Sequence, residues 1–203
     1  MSNVLGVILA GGLARRMGGG DKSLNALGTE TVLDRVISRL RPQVEAIALN
    51  ANGDPARFDR FDLPVLPDSE PEYPGPLAGV LAGMDWAAAQ GVDHVVSVAA
   101  DTPFFPSDLV QKLRQEGDGI VLAAVDDPVR GLLRQPTFGQ WPVALRDDLR
   151  ANLRAGLRKI VAWTDQHEAR QAVFSLHPID PFFNINTPED MVQAENLLKV
   201  HDL

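Results

Sequence analysis

Val4-Leu5-Gly6-Val7-Ile8-Leu9-Ala10 is an almost continuously apolar run that breaks on Gly11-Gly12, and its reading decides the fold. Apolar side chains without polar alternation predict a strand buried on both faces, and such strands belong to parallel sheets. Working outward, Val32, Leu33, Val36, Ile37 and Leu40 recur at helical spacing and stop at Pro42. Val44 to Asn50 then reads as the next strand, completing a βαβ unit. A short strand at Leu63 to Leu66, a helix from about Leu77 to Gln90 and the apolar strand His94 to Ala100 follow. Ser107-Asp108 can cap a helix to about Glu116, ahead of a strand at Ile120 to Val125. The later half is less regular, with extended segments around Pro136 to Val143 and Gln171 to His177 and helical ones near Arg146 to Ala155 and Lys159 to Gln166. The last helix is plain: Asn186 or Thr187 can cap it, Pro188 suits its first turn, and Glu189-Asp190 favour its positive end.

Strands and helices that alternate throughout predict an α/β fold: a three-layer, Rossmann-like sandwich around a mostly parallel, doubly wound central sheet. In such sheets ligands bind beyond the carboxyl ends of the strands. Gly11, Asn50, Asp68 and Asp101 all stand at or just past predicted strand ends, so residues far apart in the chain are expected to converge. The 203 residues, 45% of them hydrophobic, suffice for one domain with a full core.

Cysteine is absent, which excludes disulfides and thiolate metal sites and leaves oxygen or imidazole ligands for any metal, the chemistry of magnesium. A formal net charge of -8 argues against a nucleic-acid partner. The apolar N-terminal run is too short to span a membrane and lacks the basic start of a signal peptide, which predicts a cytoplasmic protein.

Within this acidic chain, Gly11 to Lys22 is locally basic, with Arg15, Arg16 and Lys22 against Asp21 alone, and the stretch from Leu9 to Lys22 holds five glycines. Glycines let backbone amides approach an anion, and the cations neutralise it; a triphosphate fits. The segment is neither a Walker A loop, since Asp21 stands where Gly must precede the lysine, nor a G-x-G-x-x-G dinucleotide loop. A solvated surface loop is the plainer alternative, outweighed by the combination of length, glycines and charge. Asp101, in a turn after Val95 to Ala100 and before Pro103, can ligate magnesium, which needs only one or two protein carboxylates. As an isolated residue it could equally cap a turn; its place opposite the basic loop favours the metal. Asn50 and Asp68 could bond a base or ribose, though each alone also suits a turn. Pro74 to Gly79 brings a backbone-only surface to the start of a helix, suited to close approach to a planar base or to tight packing, the plainer reading. The four histidines are scattered, with no H-E-x-x-H, and read as structural or exposed; Trp86, Trp141 and Trp163 read as core or interface. Asp126-Asp127 reads as a loop rather than a second metal site, and no nucleophile elbow is present.

In order, Leu9-Ala-Gly-Gly12, Arg16-Met17-Gly18, Asp21-Lys22, Asn50, Asp68, Gly75-Pro-Leu-Ala-Gly79, Asp101-Thr102-Pro103 and Phe183 to Asp190 resemble the bacterial molybdenum cofactor guanylyltransferase family. Only about Val125 to Phe174 matches loosely. The resemblance implies the nucleotide-diphospho-sugar transferase type of α/β sandwich, with a nucleotide-binding half to about residue 125 and an acceptor-binding half beyond. It also implies transfer of GMP from GTP to molybdenum-loaded molybdopterin with magnesium as cofactor, and transient contact with molybdoenzyme apoproteins. Carried over, Leu9, Ala10, Gly11, Gly12, Lys22, Asn50, Asp68 and Asp101 would contact GTP. Asp101 would also hold magnesium, Arg16 and Lys22 would steady the phosphates, and Asn184, Asn186 and Arg158 would face the pterin. The Leu-Ala-Gly-Gly and Pro-Leu-Ala-Gly segments match the guanylyl rather than the cytidylyl branch. A cytidylyl- or sugar-nucleotidyltransferase on the same fold, and a non-catalytic nucleotide or cofactor delivery module, are the competing expectations.

Overall fold

The computed structural model describes residues 4–11, 21–70, 72 and 75–201, the last by its backbone only. The opening run forms β1 (Leu5–Leu9); two short strands, β2 (Ala26–Leu27) and β3 (Glu30–Thr31), pair as a small hairpin. Then come α1 (Val32–Leu40), β4 (Ile47–Asn50), β5 (Val65–Leu66), α2 (Pro76–Ala89), β6 (His94–Ala99) and α3 (Leu109–Gln115). The rest comprises β7 (Val121–Asp127), β8 (Gly131–Pro142), α4 (Arg146–Arg154), α5 (Ile160–Gln166), β9 (Arg170–Phe174) and α6 (Pro188–His201).

Seven strands make one sheet in the order β5-β4-β1-β6-β8-β7-β9. Pairing is parallel at β4–β5, β1–β4, β1–β6 and β7–β9 and antiparallel at β6–β8 and β7–β8, so β8 alone runs against the others. The expected mostly parallel sheet is therefore present, with one correction to strict alternation. β7 and β8 are a hairpin with no helix between them, and Asp126-Asp127 close a strand, opposite Leu132 and Gly131, instead of forming a loop. The turn is local chemistry: Oδ1 of Asp127 accepts from the amides of Val129 and Arg130, at 2.9 and 2.8 Å, and Gly131 takes φ +73°. Pro128 and Gly131 between two apolar runs were the available signal.

The sheet is covered on both sides because β1 alternates. Leu5 and Val7 pack with Leu77, Val80, Leu81 and Met84 of α2 and with Leu149, Leu153 and Trp163 of α4 and α5. Val4 and Ile8 pack on the other face with Leu33, Val36 and Leu40 of α1 and Leu109 and Leu113 of α3. α2 approaches closely because its inner face carries glycine: a Cβ on Gly83 would lie 2.8 Å from Val7 Cγ1. A third, smaller cluster joins Met191, Ala194, Leu197 and Leu198 of α6 to Leu27, Val32, Phe104 and Ile185. Through it α6 is docked beside the β2–β3 hairpin and the start of α1.

Candidate active site

The parallel register brings the strand ends level. Leu9 stands opposite Asn50 of β4 and Ala99 of β6, and Asn50 stands opposite Leu66. The chain leaves the three inner strands at one height: the Ala10 amide donates to the Asn50 carbonyl (2.9 Å), the Ala100 amide to Leu9 (3.1 Å) and the Ala51 amide to Leu66 (3.0 Å). Next in line are Gly11, Asn52, Asp68 and Asp101.

A cavity of about 160 Å³ opens there, lined by Leu9, Ala10, Asp21, Lys22, Ser23, Ala100, Asp101 and Asn186. Leu9, Ala10, Lys22, Asp101 and Asn186, all expected at the site, thus share one wall system. Lys22 begins a 3-10 turn, Lys22–Leu24, and its Nζ donates to Oδ1 of Asn186 at 3.1 Å, 164 residues away in the chain. The other segment is held just as directly. The Ile185 amide donates to the Asp101 carbonyl at 2.9 Å, and Asn184 is close enough to favour the charged form of the Asp101 carboxyl. Phe182 and Ile185, both buried, pin the strip on which Asn184 and Asn186 are exposed. Phe182 meets Phe138 edge-on at 4.9 Å and Phe174 at 5.7 Å.

Burial pushes the Asp101 carboxyl above its ordinary value, against the opposing pull of its own backbone amide, the Thr102 hydroxyl, Lys22 and Asn184. A cation beside it would relieve that cost. Among the described residues no three His, Cys, Asp or Glu side chains gather as a metal cage. One carboxylate beside a phosphate-sized space suits an ion that keeps water and substrate oxygens, as magnesium does.

Asn50 and Asp68 are not among the residues that line this cavity; they stand at or past the ends of neighbouring strands, bonded to each other. Asn50 is buried, and its Nδ2 donates to Asp68 Oδ1 (3.0 Å) and to the Leu66 carbonyl (3.1 Å). Its Oδ1 lies over Gly79, where a Cβ would come within 2.2 Å. The Pro-Leu-Ala-Gly segment is therefore a close-packing surface, and what it packs against is Asn50. Asn52, which sequence reasoning passed over, holds Asp68 with both ends of its amide: Nδ2 donates to Oδ2 (2.8 Å) and Oδ1 accepts from the Asp68 amide (2.9 Å). Asn50-Ala51-Asn52 just past a strand end was its signal.

Arg158 is not among the residues lining this cavity; its guanidinium donates to the Leu153 and Leu157 carbonyls, both at 2.8 Å, where α4 ends. Gly12 and Arg16 lie outside the described residues. Two of the histidines make polar pairs: His94 meets the Asp118 carbonyl at 2.8 Å and His167 meets Asp148 at 2.9 Å. Trp141 and Trp163 are buried and stacked, 6.1 Å apart.

Residues 6–171 match the family model of the MobA-like NTP transferase domain. A protein of Nitrobacter hamburgensis named molybdenum cofactor guanylyltransferase is 50% identical over 195 residues, 95% of this chain and 93% of that protein. One of the same name from Bradyrhizobium sp. is 47% identical over 206 residues, 98% and 95% of the two chains. Among solved structures, molybdopterin-guanine dinucleotide biosynthesis protein A of Archaeoglobus fulgidus superposes with TM-score 0.72 at 21% identity, covering 97% of this chain and 99% of that one. The 4-diphosphocytidyl-2C-methyl-D-erythritol synthase of Anaerococcus prevotii gives 0.74 at 14%, covering 98% and 96%. These two share the fold. With the family model over most of its length and relatives at half identity end to end, this chain belongs to the molybdenum cofactor guanylyltransferases of the MobA-like nucleotidyltransferase family.

Proposed function

We propose that this protein transfers GMP from GTP to the terminal phosphate of molybdenum-loaded molybdopterin, giving the guanine dinucleotide and pyrophosphate. The observation that carries the reading is the Lys22–Asn186 bond at 3.1 Å on the wall of a cavity that also holds Asp101. It supports reading Lys22 as the cation that meets the phosphates, since it stands between the strand ends and a segment from much later in the chain. Asn50 and Asp68 serve the guanine and ribose end, with Leu9 to Gly12 along the nucleotide.

An oxygen of the acceptor phosphate attacks the α-phosphorus in line; the bond from that phosphorus to the bridging oxygen breaks, and pyrophosphate departs with its electron pair. No protein nucleophile is needed, and rate comes from positioning and charge neutralisation. Lys22 and Arg16 offset charge on the transferred and leaving phosphates. Asn184 and Asn186 orient the acceptor; Arg158, expected with them, is engaged instead at the end of α4. Magnesium held by Asp101 would supply a Lewis acid for the phosphate oxygens.

The test is purified protein with magnesium, molybdenum-loaded molybdopterin and either GTP or CTP, followed by pyrophosphate release and mass analysis of the pterin product. Guanine dinucleotide from GTP, with CTP turned over far more slowly, is expected. Preference for CTP would assign the cytidylyl reaction. Nucleotide binding without pyrophosphate would leave only a delivery module.

A further inference from the structure

One half-buried cation beside the cavity has no part in the roles above. Arg57 stands on the 3-10 helix Pro55–Phe61 that follows β4. Its Nη2 donates to the Asn52 carbonyl at 2.7 Å and its Nη1 to the Asp54 carbonyl at 2.9 Å. Its Nε stands 2.5 Å from Oδ2 of Asp21, the residue before Lys22. That Nε is buried without an aligned acceptor, so charge more than a linear hydrogen bond holds the contact. The guanidinium lies over Phe58, 4.7 Å from the ring centroid. Gly53, at φ +86°, leaves the room it needs, since a Cβ there would stand 3.2 Å from Nη1. The side chains of Arg57 and Asp21 are only 29% and 17% exposed, which shields the pair from the screening that weakens surface ion pairs.

The partners give this contact a role. Asn52, whose carbonyl Arg57 holds, grips Asp68, and Asp68 accepts from Asn50. Asp21 and Lys22 line the phosphate-sized cavity. Arg57 is thus the joint between the wall proposed for the base and the lysine proposed for the phosphates. We infer that Arg57 is a positioning residue that sets the distance from Asn50–Asp68 to Lys22, a distance the length of a nucleoside triphosphate dictates. The inference rests on the guanylyltransferase reading of the same site. A misplaced Lys22 loses phosphate contact while the base contacts persist, so the loss should be confined to ligands that carry phosphates. Lysine in place of Arg57 could meet Asp21 but could not hold both carbonyls as the planar fork does.

Calorimetric titration of magnesium-GTP and of guanosine into wild type, Arg57→Met and Arg57→Lys separates this from a general structural role. Methionine keeps an apolar stem over Phe58. Arg57→Met is expected to weaken GTP about tenfold, the scale of one charge-assisted contact, and guanosine less than about twofold, with Arg57→Lys intermediate for GTP alone. Asp21→Asn should weaken GTP similarly, and the double variant no further, as residues acting through one contact do. Should Arg57→Met fail to fold, the contrast between the two ligands is read on Arg57→Lys. Equal weakening of both ligands, or unchanged GTP affinity in a wild type that binds GTP, overturns the Arg57 assignment alone. A wild type that binds no GTP overturns the functional reading and this inference with it.

Discussion

Asp101 has a carboxyl that its surroundings disfavour as an ion and that the proposed chemistry uses as one. Because burial raises its value in the folded chain, ionising it costs stability as pH rises from the unfolded carboxylate range through the folded value, and the full cost is present above that value. Asp101→Asn should therefore melt no lower than wild type at pH 7 in chelator, with the advantage shrinking toward pH 3. The same variant, and Lys22→Ala, should lose ~10²-fold or more in kcat/KM; a steady-state assay beside a melting curve checks both, and activity within about tenfold of wild type would contradict the roles. At this scale, what could be read in advance was whatever a strand end dictates. Leu9, Asn50 and Asp101 were legible because an apolar run stops beside them. Asn52 stands just past the same strand end as Asn50, and that signal was passed over because position alone does not tell that Asp68 lies across from it. Arg57 was hidden for the same reason, its partner being 36 residues earlier and on another element.

Two elements do the aiming. α2 carries Gly79 against Asn50 and Leu9, and a methyl there would meet Asn50 Oδ1 at 2.2 Å and Leu9 Cδ2 at 2.9 Å. Gly79→Ala is expected to cost roughly 1–3 kcal/mol by overpacking and to weaken guanosine as well as GTP; chemical denaturation and titration would show it, and a neutral result would mean Asn50 need not sit where it does. α1 starts with a capping box, Thr31 Oγ1 accepting from the Asp34 amide (3.2 Å) and Asp34 Oδ2 from the Thr31 amide (2.9 Å). For Asp34, burial is the largest influence and acts upward, but the Thr31 and Arg60 bonds outweigh it and hold the carboxyl low. Stability from it is thus present above the unfolded carboxylate value and lost as pH falls through the folded one. Thr31→Ala should cost roughly 1 kcal/mol at pH 7 and less at pH 3, read from denaturant melts at both. The periodic elements, β1, α1, α2 and β6, were plain from the sequence. The β7–β8 hairpin was not, because its turn, Pro128 to Arg130, has none of the Asn-Gly signal that marks the tightest hairpins.

Across the molecule, β8 lies between β6 and β7, so a strand from the proposed acceptor half is bonded to β6, the strand that leads to Asp101. The α6 cluster closes the remaining gap by burying Ile185 against Leu27 and Val32. We expect the two halves to unfold together: tryptophan fluorescence, reporting mainly on Trp141 and Trp163, should lose signal at the same denaturant concentration as helical circular dichroism. Separate transitions would mean two independent units. The docking of α6 beside Leu27 and Val32 also explains why residues as distant as Lys22 and Asn186 line one cavity. No helix among the described residues is long and apolar enough to cross a membrane. The central claim, that this shared edge binds GTP for nucleotidyl transfer, is met most directly by a crystal structure with magnesium and a non-hydrolysable GTP analogue. Guanine is expected toward Asn50 and Asp68, with phosphates between Lys22 and Asp101; phosphates bound away from Lys22 and Asp101 would contradict that placement.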